Sequence, residues 1–173
     1  MSQRVKHWFV WLRRLRHSRG FGIQSPTDYA FVRYVVCEPW PYYAYDAVGQ
    51  GDDWLTRRLG RLYIRLANWR QPATIVTDGY EDYFAAGCRR AAVTRRFEGV
   101  AELVRVPVEA AADQLLGQTD ERSLLVVEGI CRDRRRWETI VADSRAVVTF
   151  DLYYCGLVMF DKKRTKQHYI INF

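Results

Sequence analysis

Apolar positions recur with a helical period in several stretches of the first 70 residues, and beyond them strand-like and helical stretches alternate. In residues 3–17, QRVKHWFVWLRRLRH, the side chains Val5, Trp8, Phe9, Leu12 and Leu15 fall along one side, which predicts a helix. Val10 and Trp11 broaden that arc, so the pattern favours a helix packed on the domain through its aromatics. The alternative is a basic amphipathic helix on an anionic membrane surface or a nucleic acid, because Arg4, Arg13, Arg14 and Arg16 lie mostly elsewhere on it. Arg19-Gly20-Phe21-Gly22 ends the helix. Ser25 then offers an N-cap with Pro26 at the first helical position, followed by Tyr29, Val32, Val35 and Val36 on a short apolar face. Residues 37–53, with Pro39, Pro41, Gly49 and Gly51, read as a loop. Asp52 or Asp53 caps a helix that carries Leu55, Leu59, Leu62, Tyr63 and Leu66 and runs to about Trp69, where Pro72 stops it.

From residue 73 the elements alternate. Ala73–Thr77 is a short β-branched strand, and a helix is expected from about Asp82 to Ala92. A strand follows at 101–108, a helix at 109–116, a continuous buried-type strand at 123–127 and a helix at 132–144 with Trp137, Ile140 and Val141 inward. "AVVTFDLYY" and "GLVMF" flank Cys155-Gly156 as an antiparallel hairpin, and "QHYIINF" closes as a last strand. This predicts an α/β fold with a mostly parallel sheet covered on both faces, preceded by N-terminal helices.

Composition narrows the function classes. With 49% hydrophobic and 14% aromatic residues, the 173-residue chain is no disordered segment. No run of 18 apolar residues exists, so no transmembrane helix is expected, and no signal peptide is read at the N-terminus. The four cysteines, Cys37, Cys88, Cys131 and Cys155, are far apart, as in a reduced, cytoplasmic protein, and the three histidines lack metal-ligand spacing. No metal site is therefore expected. The net charge of +7, carried mostly by arginine, favours anionic partners. The N-terminal helix, "CRDRRRW" and "KKRTK" are the segments a nucleic acid or anionic surface would use; the plainer reading of the last two is solvated charged faces.

The turn after the first strand raises a more specific chemistry. "ATIVTDGYEDYFAAGC" has the outline of a strand, a glycine turn and a helix, where the backbone approaches a nucleotide cofactor. After Gly79, however, no second glycine comes until Gly87. The C-terminal "VTFDLYYCGLVMFDKKRTKQHYIINF", the helix start "GIQSPTDYAFVRYVV", "YYAYD" (42–46) and "GRLYIRLANWRQPATIV" (60–76) together resemble class I S-adenosylmethionine (SAM) dependent methyltransferase-like proteins of the type common in Bacteroidetes. The resemblance spans most of the chain. It implies a helical extension over 1–52 and a Rossmann-like domain over 53–173, with its antiparallel hairpin at the end.

Against that family's first motif, Thr77 stands at the acidic position, Gly79 matches the first glycine and Tyr83 falls where the second belongs. A side chain there would intrude on the cofactor, and a non-glycine residue at positive φ costs about 1–2 kcal/mol. The resemblance implies SAM as cofactor, with Asp78, Gly79, Tyr80, Glu98 and Glu128 as its binding positions. Glu98 would end the second strand, and Glu128 is the one carboxylate kept where the family shows paired acids. The segment before "LLVVEG" leaves no room for the usual extra strand and helix, so a shortened sheet is expected. Three functions follow as expectations: a methyltransferase acting on an unknown acceptor, a non-catalytic relative that binds or regulates a protein partner, or a basic protein that binds nucleic acid or an anionic surface. A short sheet with exposed aromatics also offers an edge for homodimerisation.

Overall fold

Within residues 3–96, 99–110 and 119–173, which the computed structural model describes, the helical and strand-forming stretches separate into two units. Met1–Gln71, Tyr80–Ala91 and Ile171–Phe173 form a helical unit; Pro72–Gly79 and Ala92–Ile170 form a unit built on a sheet.

In the helical unit, α1 spans Gln3–Arg13, α2 Pro26–Phe31, α3 Ala44–Ala47, α4 Trp54–Arg70 and α5 Glu81–Gly87. The Ser25 hydroxyl accepts from the Asp28 amide at 3.3 Å with Pro26 at the first helical position, as the sequence predicts. A π turn over Val32–Val36 continues α2. Its last carbonyls lack helical partners, and the buried Arg65 of α4 supplies them, donating Nε to the Val35 carbonyl (2.6 Å) and Nη2 to that of Val36 (2.9 Å). The Asp53 carboxylate caps α4, accepting from the amides of Leu55 (2.7 Å) and Thr56 (3.1 Å), and Gln71 ends it with φ 50°.

Helices α4 and α5 meet through glycine. A Cβ on Gly60 would lie 2.3 Å from the Tyr83 ring, and one on Gly87 2.4 Å from the Ile64 carbonyl oxygen. Tyr83 therefore belongs to this packing: it is buried, and its hydroxyl donates to Asp52 at 2.7 Å. The left-handed residue in this stretch is Tyr80 (φ 63°), which carries the strain expected at Tyr83.

Two expectations for the helices are corrected. α5 ends at Gly87, because Cys88 turns extended and Ala92–Thr94 pairs as a strand. The apolar side expected over residues 3–17 is exposed, with Val5, Trp8, Phe9 and Leu12 of α1 and Leu15 just beyond it all open to solvent. The His7 ring of this helix lies 4.8 Å from that of Trp54.

In the other unit, seven strands lie in the order β2-β1-β3-β4-β6-β5-β7. They are β1 (Thr74–Val76), β2 (Ala92–Thr94), β3 (Leu103–Pro107), β4 (Leu124–Glu128), β5 (Val148–Asp151), β6 (Cys155–Met159) and β7 (Gln167–Ile170). The first four pair in parallel. β5 and β6 form the expected antiparallel hairpin, with β6 inserted beside β4 and β7 parallel to β5 at the edge. The fold is thus α/β with a mixed sheet. Between β2 and β3 the described part of residues 95–102 holds no helix. The helix expected at 109–116 lies almost wholly outside the described residues.

One face of the sheet packs Val104, Val106, Leu125, Val127 and Val158 against α6 (Arg134–Ala142). Asp133 caps α6 by accepting from the Arg136 amide at 2.9 Å. The fully buried Trp137 lies flat on Gly156 of β6, where a Cβ would come within 2.3 Å of the indole. Among the described residues no helix is long and apolar enough to cross a membrane.

Gly156→Ala is expected to cost about 1–3 kcal/mol by forcing Trp137 off its site; urea unfolding measures it, and an unchanged midpoint would contradict this packing. In the helical unit, burial and the Arg58 cation push the His7 imidazole down to about 4 from 6.5. The unfolded chain takes up that proton first, so stability contributed by His7 is full above pH 6.5 and is lost as pH falls toward 4. Thermal melts from pH 7 to 4 should lose part of their slope in His7→Gln.

Candidate functional site

Strand order switches sides at β1: the next strand, β2, lies on one side of it, and β3 and β4 lie on the other. Ligands of open α/β sheets bind outside the carboxyl ends of the strands at such a switch point. Asp78 and Gly79 follow β1 here, and Glu128 ends β4. Two of the expected carboxylates thus come to one edge of the sheet.

What joins them is a residue to which the sequence reading gave no role. Arg105 stands in β3 opposite Val126 of β4, so Glu128, two residues on, is its diagonal neighbour on the same face. The Arg105 guanidinium donates to Glu128 Oε2 through Nε (3.0 Å) and Nη2 (2.8 Å), and its Nη1 pairs with the Asp78 carboxylate. Arg105 and Glu128 are largely buried, with side-chain exposures of 10% and 16%, whereas Asp78 is 59% exposed. Burial makes the Arg105–Glu128 contact the consequential one; a pair as open as Asp78's is screened by water. The signal in the sequence was a lone arginine inside the apolar alternation LVRVP.

The turn itself is held by Thr77, whose amide donates to the Thr94 carbonyl at 2.9 Å and whose hydroxyl accepts from the Gly79 amide at 3.3 Å. Gly79 does not adopt a positive φ, and a Cβ on it would meet only Arg105 Nη1, at an ordinary 3.8 Å. Tyr80, the third expected contact of this turn, belongs to the helical unit, with its ring 4.8 Å from that of Tyr63. Glu98 lies outside the described residues. The second strand as described spans Ala92–Thr94.

A second buried carboxylate sits at the end of β5. Asp151 is fully buried, pairs with Arg134 of α6 at 2.7 Å, and accepts from the Tyr153 amide at 2.9 Å. The Asp-Leu-aromatic sequence of the C-terminus thus forms a tight turn anchored to α6. Cys155, the cross-strand partner of Glu128, is fully buried, and burial, then the Glu128 and Asp151 carboxylates, push its thiol well above the usual range. It is no nucleophile at neutral pH. Among the described residues, no group of three or more metal-ligating side chains converges.

Much of the charge in the basic runs is used within the sheet unit. Arg132 pairs with Glu109 (3.4 Å), Arg134 with Asp151 and Arg136 with Asp133 (3.8 Å), while Lys166 donates to the carbonyls at the end of α6. Arg135, Lys162 and Lys163 remain exposed.

No protein-family model matches the chain, and neither a curated protein nor a solved structure is found that matches it.

Replacing Arg105 by leucine strands the half-enclosed Glu128 carboxylate and is expected to cost about 3–5 kcal/mol. Asp78→Asn should cost under about 1 kcal/mol. Urea unfolding of the two variants compares them; equal losses would show that Arg105 is held by Asp78 rather than by Glu128.

Proposed function

We propose that this chain is a divergent, non-catalytic relative of the class I SAM-dependent methyltransferases, serving as a binding or partner-regulating subunit. The resemblance at its two ends suggests the family. The strand order agrees with a Rossmann-like sheet that lacks its third strand: β2, β1, β3 and β4 correspond to strands 2, 1, 4 and 5 of that arrangement, with the hairpin beyond.

The observation that carries the non-catalytic reading is Arg105. A ribose hydroxyl or an amino group seeking Asp78 or Glu128 would compete with a guanidinium that already bridges both and is mostly buried. The glycine that gives a cofactor close backbone approach here faces that same arginine. A second reading, an active methyltransferase, draws its support from the position of Asp78 and Glu128 at the switch point.

Titration calorimetry with SAM and with S-adenosylhomocysteine separates the two readings. The first expects no binding up to millimolar ligand, and micromolar affinity for either compound would overturn it in favour of the enzyme.

A further inference from the structure

The helical unit encloses a cavity of about 660 Å³, a size typical of small-molecule sites. One stripe of α4 lines it, with Trp54, Arg57, Arg58, Arg61 and Arg65 at helical spacing, and Arg19 adds a fifth guanidinium. Like charges stacked at i and i+4 repel along a helix. Glu38 is the one side-chain carboxylate among the described lining residues, and it already accepts the Tyr42 hydroxyl at 2.7 Å. With five guanidiniums and one side-chain carboxylate on its described lining, this partly enclosed space suits an anionic occupant with more than a single charge.

The arginines divide by role. Arg65 is committed to the Val35 and Val36 carbonyls and the Tyr45 hydroxyl, so it builds the wall. Arg58 is laid between rings, its Cζ 4.6 Å from the Phe173 centroid and 5.5 Å from that of Trp54. Arg61 lies 5.0 Å over the Tyr45 ring, and its Nε is buried with no hydrogen-bond acceptor among the described residues. Arg57 donates to the Gly49 and Asp52 carbonyls, both at a long 3.3 Å. Trp40, also on the lining, is 72% exposed and offers a flat apolar face to solvent.

We propose that this cavity binds a small organic phosphate carrying a flat ring, with the phosphate held by Arg57 and Arg61 and the ring laid on Trp40. A phosphate ester carries close to two negative charges, and the guanidinium fork suits its oxygens. The site lies wholly within the helical unit and is independent of Arg105; SAM, which bears no phosphate, is not its ligand.

Calorimetric titration with ADP, inorganic pyrophosphate and adenosine tests this. ADP should bind in the micromolar range, pyrophosphate more weakly, and adenosine not at all. Arg61→Gln should weaken ADP by about tenfold or more, the loss of one charged hydrogen bond. Trp40→Ala should weaken ADP while leaving pyrophosphate unchanged. Arg57→Gln, at an exposed position, provides a second phosphate-side variant, and far-UV circular dichroism confirms that each variant is folded. The proposal is overturned by no ADP binding at millimolar concentration, by folded arginine variants that bind ADP as the wild type does, or by pyrophosphate and ADP of equal affinity with no effect of Trp40→Ala.

Discussion

Parallel pairing delivers the carboxyl ends of β1, β3 and β4 to one edge of the sheet, and the charges that arrive there are held by one guanidinium. Glu128 ends an apolar strand and keeps only 16% of its side chain exposed, so its carboxylate must be paired where it stands. Arg105 meets that need because the β3–β4 register sets it diagonally across from Glu128, and its Nη1 reaches Asp78 beyond β1. Arg134 does the same for Asp151 at the end of β5. The carboxyl edge is thus neutralised from within the unit, which leaves little unspent charge to recognise a ligand there.

The helical unit answers to a different constraint, the closing of a helix whose last carbonyls are buried. The π turn after α2 leaves Val35 and Val36 without helical donors, and Arg65 comes from α4 to supply them. That contact ties the two segments together across some 30 residues of sequence. Gly60 and Gly87 let α5 lie against α4 at a distance no side chain at those positions permits. Tyr83 fills the space over Gly60 and anchors to Asp52. A residue that looked like damage to a glycine turn is therefore a packing element of a helix pair.

Local chemistry was legible wherever a few neighbouring residues decide the outcome. Ser25-Pro26, Asp53 and Pro72 marked helix ends because capping and ring closure act within one turn. The strands of residues 103–107 and 124–128 declared themselves through β-branched runs, and the final hairpin through its alternation and turn. Asp78 and Glu128 were placed at the sheet edge for the same reason: they directly follow or end such strands. The apolar face of α1 could be read too, but not its exposure, because an amphipathic pattern shows which side is apolar and not what stands opposite it.

The amino-acid order by itself thus determined the kinds of element, most of their caps and the α/β class, since these rest on period, propensity and steric limits within a few residues. Only the tertiary structure decided that Arg105 bridges Asp78 and Glu128, that Tyr83 packs on Gly60, and that the arginines of α4 face a shared cavity. Those outcomes depend on strand order, on register and on which helix face meets which. Each is set by contacts between residues tens of positions apart, for which a single sequence holds no local signal.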